Sequence, residues 1–371
     1  MVMKGLAITS KGIEDTACTE IKELIGCPCT ADDTACIFDF VDFEDLCLLC
    51  YKAQSVDRVL YLIGSFDFKD FFKEFESFLD RIDFSYWLGK YKKIKVECQR
   101  EGSHNFKSVD VEESASKKLI KKYKVKVQFK EHELALFFYI IGNKCFCGID
   151  FAGFELNKRP YKIFMHPGSL RGTIGYAIVR ESGFRKNEIL LDPFSRDGVI
   201  AIEAALYASG FPLNYFRKNK FAFLKLELEI DYDKFFKKAD GKIKKLKSRI
   251  NCYDNLFKFV DYCRKNAKIA GVEKEMNFSR TEIEWLDIKF KKSSIDHIVS
   301  CPPFPKEGTE KIYNEFFYQA SYIIDEKGSV SIITQSPDFV KKFAEKHGLK
   351  ISKEKVVLSG EQKLVFLSFN K

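Results

Sequence analysis

The chain lacks any long hydrophobic run, because no apolar stretch reaches the roughly 18 residues that a membrane-spanning helix requires. Internal repeats and low-complexity tracts are also missing. The first residues lead directly into a strand-like segment at 6–8, without the basic and apolar regions of a signal peptide. We therefore expect a globular cytoplasmic protein whose 371 residues fold into two or three domains.

No export signal accompanies the 12 cysteines, so we do not expect the disulfide framework of a secreted protein. In a reducing compartment these thiols should act mostly as small apolar side chains. Cys47 and Cys50 do have the spacing of metal ligands, with Cys27 and Cys29 upstream. Because that pair lies in the apolar stretch 46–50, core packing is the better explanation, and no metal is predicted.

The whole chain has a net charge of +9, and acidic residues are scarce in two of its segments. Residues 91–130 carry 12 Lys and Arg against 5 Asp and Glu, a balance of +7, and residues 215–249 carry the same numbers. Residues 1–90 have 9 against 17, a balance of −8. This separation favours a polyanionic partner over an acidic small molecule. Lysine-rich helices that only keep an aromatic-rich protein in solution would give the same counts.

Hydrophobic periodicity predicts small α+β units in the first 158 residues, beginning with a unit of β-α-β-α-β order. The predicted strands are 4–9, 35–40, 59–63, 93–98, 125–129, 134–140 and 145–150. The predicted helices are 13–24, 43–50, 68–78 and 109–122.

Strands and helices alternate from residue 189 onward, which predicts a parallel, doubly wound sheet. A break at Pro160 and a helix at 173–180 precede this half. The Lys- and Phe-rich stretch 214–249 is interpreted as an insertion after the first helix. The predicted strands are 189–191, 249–252, 276–278, 295–299 and 330–334, with 355–358 and 363–369 as a closing antiparallel pair.

The loop after the first strand of this half has few glycines. A dinucleotide site would need several, so that a pyrophosphate could approach the helix N-terminus. Here only Gly198 is present, and Arg196 stands where a second glycine is expected. The strand-end carboxylate of Asp192 would also repel a phosphate. Both features favour S-adenosylmethionine, which has a sulfonium and an amino group but no phosphate.

Polar residues also follow the second and third strands. Asp254 ends the second strand, where a carboxylate can accept both ribose hydroxyls. The third strand leads to Thr281 and Glu282, where an acid often meets the adenine amine. A lone acid after a strand is usually a cap or a surface residue. The order of Asp192, Asp254 and a Pro-Pro corner after strands one, two and four is what predicts a methyl-donor site.

That corner, at the end of residues 295–304, is the most informative feature of the chain. Pro302 and Pro303 fix φ and restrict the residue before them, so the corner is pre-shaped. It can hold a flipped base against Phe304 and accept an amino hydrogen at the Pro302 carbonyl. Cys301 replaces the Asn, Asp or Ser that usually opens such a corner, and a thiol accepts hydrogen bonds weakly. A thiolate would accept better, but its pKa must first fall.

Taken in order, these motifs resemble those of class I S-adenosylmethionine-dependent methyltransferases that carry a THUMP domain. Residues 192–199 are similar to the family motif Asp-Pro-Phe-Cys-Gly-Ser-Gly-Thr, and 301–304 to its Asn/Asp-Pro-Pro-Tyr. Residues 98–108 resemble its Arg-x-Gly-x-His stretch, 147–161 the THUMP ending, and 166–170 the linker that opens the catalytic domain. The departures in the first motif are Ser195, Arg196, Asp197 and Val199.

The resemblance implies a tRNA methyltransferase that modifies guanine N2 in the acceptor stem or nearby. It implies a ferredoxin-like domain at 1–64, a THUMP domain at 65–158, a linker at 159–180 and a Rossmann-like catalytic domain at 181–371. tRNA is the expected partner of a monomeric chain. The implied donor-binding residues are His166, Leu170, Asp192, Ser195, Arg196, Asp197, Gly198, Asp254, Thr281 and Glu282. The implied catalytic residues are Cys301, Pro302, Pro303 and Phe304. Phosphate contacts are expected from Arg100, His104, Lys107, Lys117 and Lys118.

Three alternatives stay open. The enzyme could methylate another base amine, such as cytosine N4, because a related Ser-Pro-Pro-Tyr corner serves cytosine. It could bind RNA with weak or partner-dependent catalysis. It could also be a small-molecule or protein methyltransferase, which would not need the N-terminal half.

Overall fold

The computed structural model describes residues 2–246, 249–305 and 308–371. They form two compact units. The first unit comprises the chain up to Thr9, Cys18–Leu156 and Phe216–Phe236. The second comprises Ser10–Ala17, Asn157–Tyr215 and Lys237–Lys371. The predicted insertion is therefore divided, because most of it belongs to the first unit while its ends belong to the second.

The first unit is built on one eight-stranded sheet of order β2-β3-β1-β4-β8-β7-β5-β6. Its strands are β1 (Met3–Thr9), β2 (Cys29–Asp32), β3 (Ala35–Phe40), β4 (Val56–Asp67), β5 (Lys93–Glu101), β6 (Lys126–Val127), β7 (Leu134–Ile141) and β8 (Lys144–Asp150). Its helices are α2 (Phe43–Lys52), α3 (Phe71–Arg81), α4 (Ser85–Leu88) and α5 (Ser108–Tyr123). The helix α1 (Glu14–Ile25) starts in the second unit and ends in the first.

β4 makes this sheet continuous. It pairs antiparallel with β1 along Val56–Tyr61 and with β8 along Leu60–Asp67. The boundary predicted between residues 64 and 65 falls inside this strand. Two α+β patterns that look separate in the sequence thus share one sheet, and the exact domain limits stay a prediction.

The second unit has a seven-stranded sheet of order β11-β10-β9-β12-β13-β15-β14. Its strands are β9 (Leu190–Asp192), β10 (Ile250–Asp254), β11 (Met276–Arg280), β12 (Ile295–Ser300), β13 (Ile324–Thr334), β14 (Lys350–Ser359) and β15 (Gln362–Asn370). Its helices include α6 (Gly172–Glu181), α7 (Val199–Ser209), α9 (Phe257–Ala270), α10 (Leu286–Lys289), α11 (Thr309–Ile323) and α12 (Pro337–Lys346). The helix α8 (Tyr232–Asp240) lies in the divided insertion.

The pairing confirms the doubly wound, Rossmann-like sheet that was expected. Strands β9 to β13 pair in parallel, and β15 is antiparallel to β13 and β14. Hydrophobic residues cover both faces, as parallel sheets require. The helix α7 is buried on nearly all sides, which explains its almost wholly apolar sequence.

Several elements differ from the sequence prediction. The strand β2 is partly or fully exposed along its length, so it has no apolar alternation to reveal it. The short helix α4 and the amphipathic α8 were not predicted. The predicted strand 125–129 contains only the two-residue β6. Among the described residues, no helix is both long and apolar enough to cross a membrane.

One disulfide joins Cys18 and Cys29 in the first unit, so these two cysteines differ from the small apolar thiols that the sequence predicts, whereas the other ten are free. Both of these sulfurs lie within 4.8 Å of the buried Cys36 sulfur. Cys47 and Cys50 are fully buried, which agrees with core packing.

Candidate functional site

Polar residues end adjacent parallel strands in the second unit. The strand β9 ends at Asp192, β10 at Asp254, and β12 at Ser300, directly before the Cys301 corner. The sheet order β10-β9-β12 brings these carboxyl ends to one edge, at the point where the strand order reverses. Ligands of open α/β sheets bind at such a switch point. The predicted donor-binding and catalytic residues therefore share one edge of the sheet.

Asp192 is a buried carboxyl group at the centre of this edge. Its Oδ1 accepts a hydrogen bond from Ser300 Oγ at 2.5 Å and from the Phe194 N–H at 3.3 Å. Burial raises its pKa to about 7, although the Ser300 bond acts in the opposite direction. A bound cation would favour the ionised form. Asp192 is thus suited to a positively charged ligand.

The loop after β9 is held by hydrogen bonds. Ser195 Oγ donates to the Asp192 carbonyl at 2.7 Å, and the Asp197 carboxylate accepts from the His166 backbone N–H at 3.3 Å. Gly198 begins α7 with a left-handed φ of 84°, and a Cβ there would lie 3.2 Å from Cys263. The left-handed conformation therefore favours glycine here, and the space beside Cys263 is tight for a Cβ.

Asp254 organises the same loop from the next strand. Its two carboxylate oxygens accept the backbone N–H groups of Arg196 and Leu256, each at 3.0 Å. Burial raises the pKa of Asp254. Each oxygen keeps a further lone pair that could accept a hydroxyl. Thr281 donates its N–H to the Asp254 carbonyl at 3.0 Å, and Glu282 is half-buried beside it in the chain.

The linker residues form a turn at this edge. His166 Nδ1 accepts the Gly168 N–H at 2.9 Å, which leaves the proton of a neutral ring on Nε2. Burial lowers the pKa of His166, and the charge of Arg196 lowers it further. Leu170 is buried and lines a small cavity with Asp192 and Arg196. His166 therefore shapes the turn as a neutral side chain.

The corner after β12 presents backbone carbonyls and one ring. Cys301 is buried, and burial raises the pKa of its thiol, so the thiolate acceptor considered from the sequence is disfavoured at neutral pH. The Pro303 carbonyl accepts from Tyr313 Oη at 2.8 Å. Phe304 is half-buried and packs against the core. The Pro302 carbonyl accepts from Arg196 Nη2 at 2.9 Å.

Two predicted RNA-binding residues lie at the end of β5 in the first unit. The Arg100 guanidinium lies 5.5 Å from the centroid of the Phe106 ring, and His104 Nε2 lies 2.7 Å from the Gly142 carbonyl oxygen. Both side chains are half-buried. They help to fold the loop after β5, which limits their reach toward a partner.

The three predicted lysines lie at the start of α5 and along it. Lys107 precedes the helix and is exposed. Lys117 is 80% exposed and forms only a loose pair with Glu113, 3.6 Å between charged atoms. Lys118 is 25% exposed and pairs with Asp80 at 2.7 Å. Lys107 and Lys117 are therefore more accessible than Lys118.

Sequence reasoning missed two residues that support the site. Ser300 directly precedes the singled-out Cys301, but its bond to Asp192 depends on the pairing of β9 with β12. Asn266 on α9 donates its Nδ2 to the Asp197 carbonyl at 2.9 Å. The sequence shows only an asparagine within a predicted helix, and its full burial, which requires such partners, is seen only in the structure.

A buried ion pair connects the linker to α7. Arg159 Nε donates to Glu203 Oε1 at 2.8 Å, and Tyr161 Oη donates to the same oxygen at 2.6 Å. Both charged side chains are fully buried. A Cβ on Gly172 would lie 2.2 Å from Arg159 Nε, so the guanidinium fills the space beside α6.

Comparison with known families agrees with this geometry. The sequence model of the RMKL-like methyltransferase domain matches residues 159–364, more than half of the chain, and a THUMP domain model matches residues 69–150. The chain belongs to the RMKL-like methyltransferase family. It is an S-adenosylmethionine-dependent enzyme of class I fold with a THUMP domain, as the motifs indicated.

Similarity to two curated proteins covers nearly the whole methyltransferase. The tRNA (guanine(6)-N2)-methyltransferase of Methanocaldococcus jannaschii is 28% identical, with 96% of this chain and 95% of that protein covered. The enzyme of the same name from Archaeoglobus fulgidus is 23% identical, covering 97% and 90%. Among solved structures, SMU.472 complexed with SAH has a TM-score of 0.82 at 20% identity, covering 100% and 98%. TrmN from Thermus thermophilus has a TM-score of 0.73 at 22% identity, covering 100% and 99%. These two structures support the fold.

The residues of the methyltransferase site suit S-adenosylmethionine in chemical type. Asp192 and Asp254 are carboxylates of the type that would suit a cationic group and ribose hydroxyls, and the short Gly198 turn has no glycine-rich phosphate cradle. The space at the first loop is small, however. The cavity lined by Leu170, Asp192 and Arg196 measures about 10 Å³ in this conformation, which is room for roughly one water molecule.

Proposed function

We propose that this methyltransferase modifies tRNA by transferring a methyl group to N2 of a guanine in the acceptor stem or close to it. The observation that carries the proposal is the similarity to two tRNA (guanine(6)-N2)-methyltransferases along nearly the full length of each chain. Similarity across both the THUMP and the catalytic segments favours a shared class of substrate.

In this proposal the N-terminal segments bind the RNA and the C-terminal segment carries out the reaction. The ferredoxin-like segment 1–64 and the THUMP segment 65–158 bind tRNA and recognise its overall shape, since duplex RNA is recognised mainly by shape. Lys107 and Lys117 contact phosphates, which position the RNA without reading its sequence. Arg100, His104 and Lys118 contribute less, because their side chains are half-buried or paired within the fold. The linker 159–180 leads to the catalytic segment 181–371, which selects the base.

S-adenosylmethionine supplies an electrophilic methyl group when bound. Asp192 faces its cationic end, Asp254 accepts the ribose hydroxyls, and Thr281 with Glu282 lies toward the adenine in the proposed arrangement. His166, Leu170, Ser195, Asp197 and Gly198 shape the surrounding loops. The left-handed Gly198 and the buried Ser300–Asp192 bond support this assignment.

The acceptor amine needs positioning more than it needs a base. An exocyclic amine is a poor nucleophile because its lone pair is delocalised into the ring. The Pro302 carbonyl accepts one amine hydrogen and Phe304 stacks on the base, so the lone pair is directed toward the methyl group. The neutral Cys301 thiol contributes little as an acceptor. We therefore propose a site in which backbone carbonyls predominate.

Cytosine N4 is the second candidate acceptor. The observation that favours it is Cys301 itself, because a small side chain opens the corner in place of Asn or Asp. Guanine N2 and cytosine N4 are both exocyclic amines, so the same carbonyl geometry serves either one.

The proposal is tested by mass mapping of modified nucleosides in tRNA from cells with and without this gene. We expect one N2-methylguanosine position to lose its methyl group when the gene is removed. In vitro, purified protein should transfer labelled methyl groups to that tRNA. Asp254→Ala should abolish transfer, whereas Cys301→Ala should retain at least about a third of the rate.

Other outcomes of these measurements would contradict the proposal. Loss of N4-methylcytosine instead would identify the alternative base. Retention of tRNA without label transfer, even at stoichiometric enzyme, would indicate an RNA-binding protein. Full activity on a small molecule or a protein, with no effect of competing tRNA, would indicate a different substrate class.

A further inference from the structure

Arg196 has a backbone conformation that favours glycine. Its φ is 54°, in the left-handed region that is uncommon for residues with a Cβ. The corresponding position in the family motif is a glycine. The methyltransferase thus keeps the loop conformation of a glycine but places a long cationic side chain on it, and such strain at a site is grounds for a functional hypothesis.

The guanidinium of Arg196 bridges two walls of the site. Nη1 donates to the Gly168 carbonyl at 2.7 Å and Nη2 donates to the Pro302 carbonyl at 2.9 Å. The planar fork of arginine suits two such acceptors. The guanidinium carbon also lies 5.9 Å from the centroid of the Phe304 ring. The side chain therefore connects the linker turn to the base-binding corner.

The backbone of Arg196 is held as firmly as its side chain. Its N–H donates to Asp254 at 3.0 Å, and its carbonyl accepts from the Cys263 thiol at 3.4 Å. These bonds keep the Cα in place. A change of position must therefore come from rotation of the side chain.

In this position the guanidinium lies at groups that the proposed function assigns to the two ligands. It lines the cavity of about 10 Å³ beside Asp192, whereas the amino-acid end of S-adenosylmethionine contains many more atoms than one water molecule. It also occupies the Pro302 carbonyl, the group that the proposed function assigns to the acceptor amine. Methylation develops positive charge on that amine, which a neighbouring cation disfavours.

We propose that Arg196 is a positioning residue that sets the affinity for the methyl donor. Its guanidinium closes the amino-acid end of the donor site and must leave the Gly168 and Pro302 carbonyls before the donor enters. The proposal for the donor is independent of the RNA substrate. Only the release of the Pro302 carbonyl for an amine rests on the proposed function.

The test is calorimetric titration of the full-length protein with S-adenosylhomocysteine, without RNA. Arg196→Gly restores the family residue and should tighten the dissociation constant at least tenfold. Arg196→Lys keeps the charge but cannot form the planar fork, so it should tighten binding by a smaller factor. Arg185→Gly removes an exposed arginine elsewhere in the second unit and should leave the dissociation constant within twofold.

An unchanged or weaker affinity in Arg196→Gly would overturn the proposal, because the arginine would then be neutral or would bind the donor. Thermal unfolding of each variant without ligand separates these outcomes from misfolding. Glycine accepts the left-handed conformation without strain, so we expect Arg196→Gly to fold. Because no RNA is present, failure of this test is distinguishable from failure of the proposed tRNA activity.

Discussion

Several buried side chains determine the properties of this site. Asp192 is the clearest example, because its carboxyl group is removed from water and accepts hydrogen bonds from Ser300 and from the Phe194 N–H of the following loop. Its raised pKa, about 7, means that the native protein retains a proton that the unfolded chain loses near pH 4. The stabilisation by this proton is therefore fully present below pH 4 and is lost as the pH rises toward 7.

Asp192→Asn should remove this pH dependence, because the amide cannot ionise and its oxygen can still accept from Ser300. We expect the free energy of unfolding of the variant minus that of wild type to increase by roughly 3 kcal/mol as the pH is raised from 5 to 8. Urea unfolding of both proteins at a series of pH values measures the difference. A difference that stays constant across this range would mean that Asp192 titrates normally.

At the scale of elements, the linker is anchored to α7 by the buried pair of Arg159 and Glu203. The guanidinium donates to both carboxylate oxygens, at 2.8 and 3.1 Å, and Tyr161 supplies a third bond. Removing one partner of a buried pair leaves an uncompensated charge, which costs more than removing both. The pair thus holds the start of the linker, at Arg159 and Tyr161, against α7.

Glu203→Ala should lower the free energy of unfolding by about 3–5 kcal/mol, since the buried Arg159 would lose the carboxylate that accepts from both its Nε and its Nη2. The double variant Arg159→Met with Glu203→Leu should recover most of that loss. Equilibrium unfolding in urea measures both effects. If the double variant were no more stable than Glu203→Ala, lost packing and not the unpaired charge would be the cause.

At the scale of the whole molecule, charge is distributed unevenly, and basic residues concentrate in and around α5. Contacts to phosphates release counterions, so each one adds to the salt dependence of RNA affinity. The helix offers a matched pair of lysines. Lys117 is exposed and loosely paired, whereas Lys118 is already bound to Asp80 and to the Glu76 carbonyl.

We expect Lys117→Gln to weaken tRNA binding and to reduce the slope of log Kd against log salt concentration by about 1. Lys118→Gln should change the slope by less than half as much. Filter binding at several salt concentrations measures both slopes. Equal effects of the two substitutions would show that the internal bonds of Lys118 break when RNA binds.

Much of the fold follows from local pattern, because strands, turns and apolar helix faces are short-range features. Asp192 and Asp254 could be placed at one edge since parallel strands end together. The destination of the Arg196 side chain could not, because its acceptors are 28 and 106 residues away along the chain. The Arg159–Glu203 pair spans 44 residues and carries no local signal. The continuity of the first sheet could not be predicted, because the sequence of β4 does not show that this strand pairs with both β1 and β8.

The path of the chain between the two units has a practical consequence. The polypeptide passes from one unit to the other five times, at residues 9–10, 17–18, 156–157, 215–216 and 236–237. No single cut can separate them, so a fragment starting near residue 159 would lack Ser10–Ala17 and would carry Phe216–Phe236 without the rest of its unit.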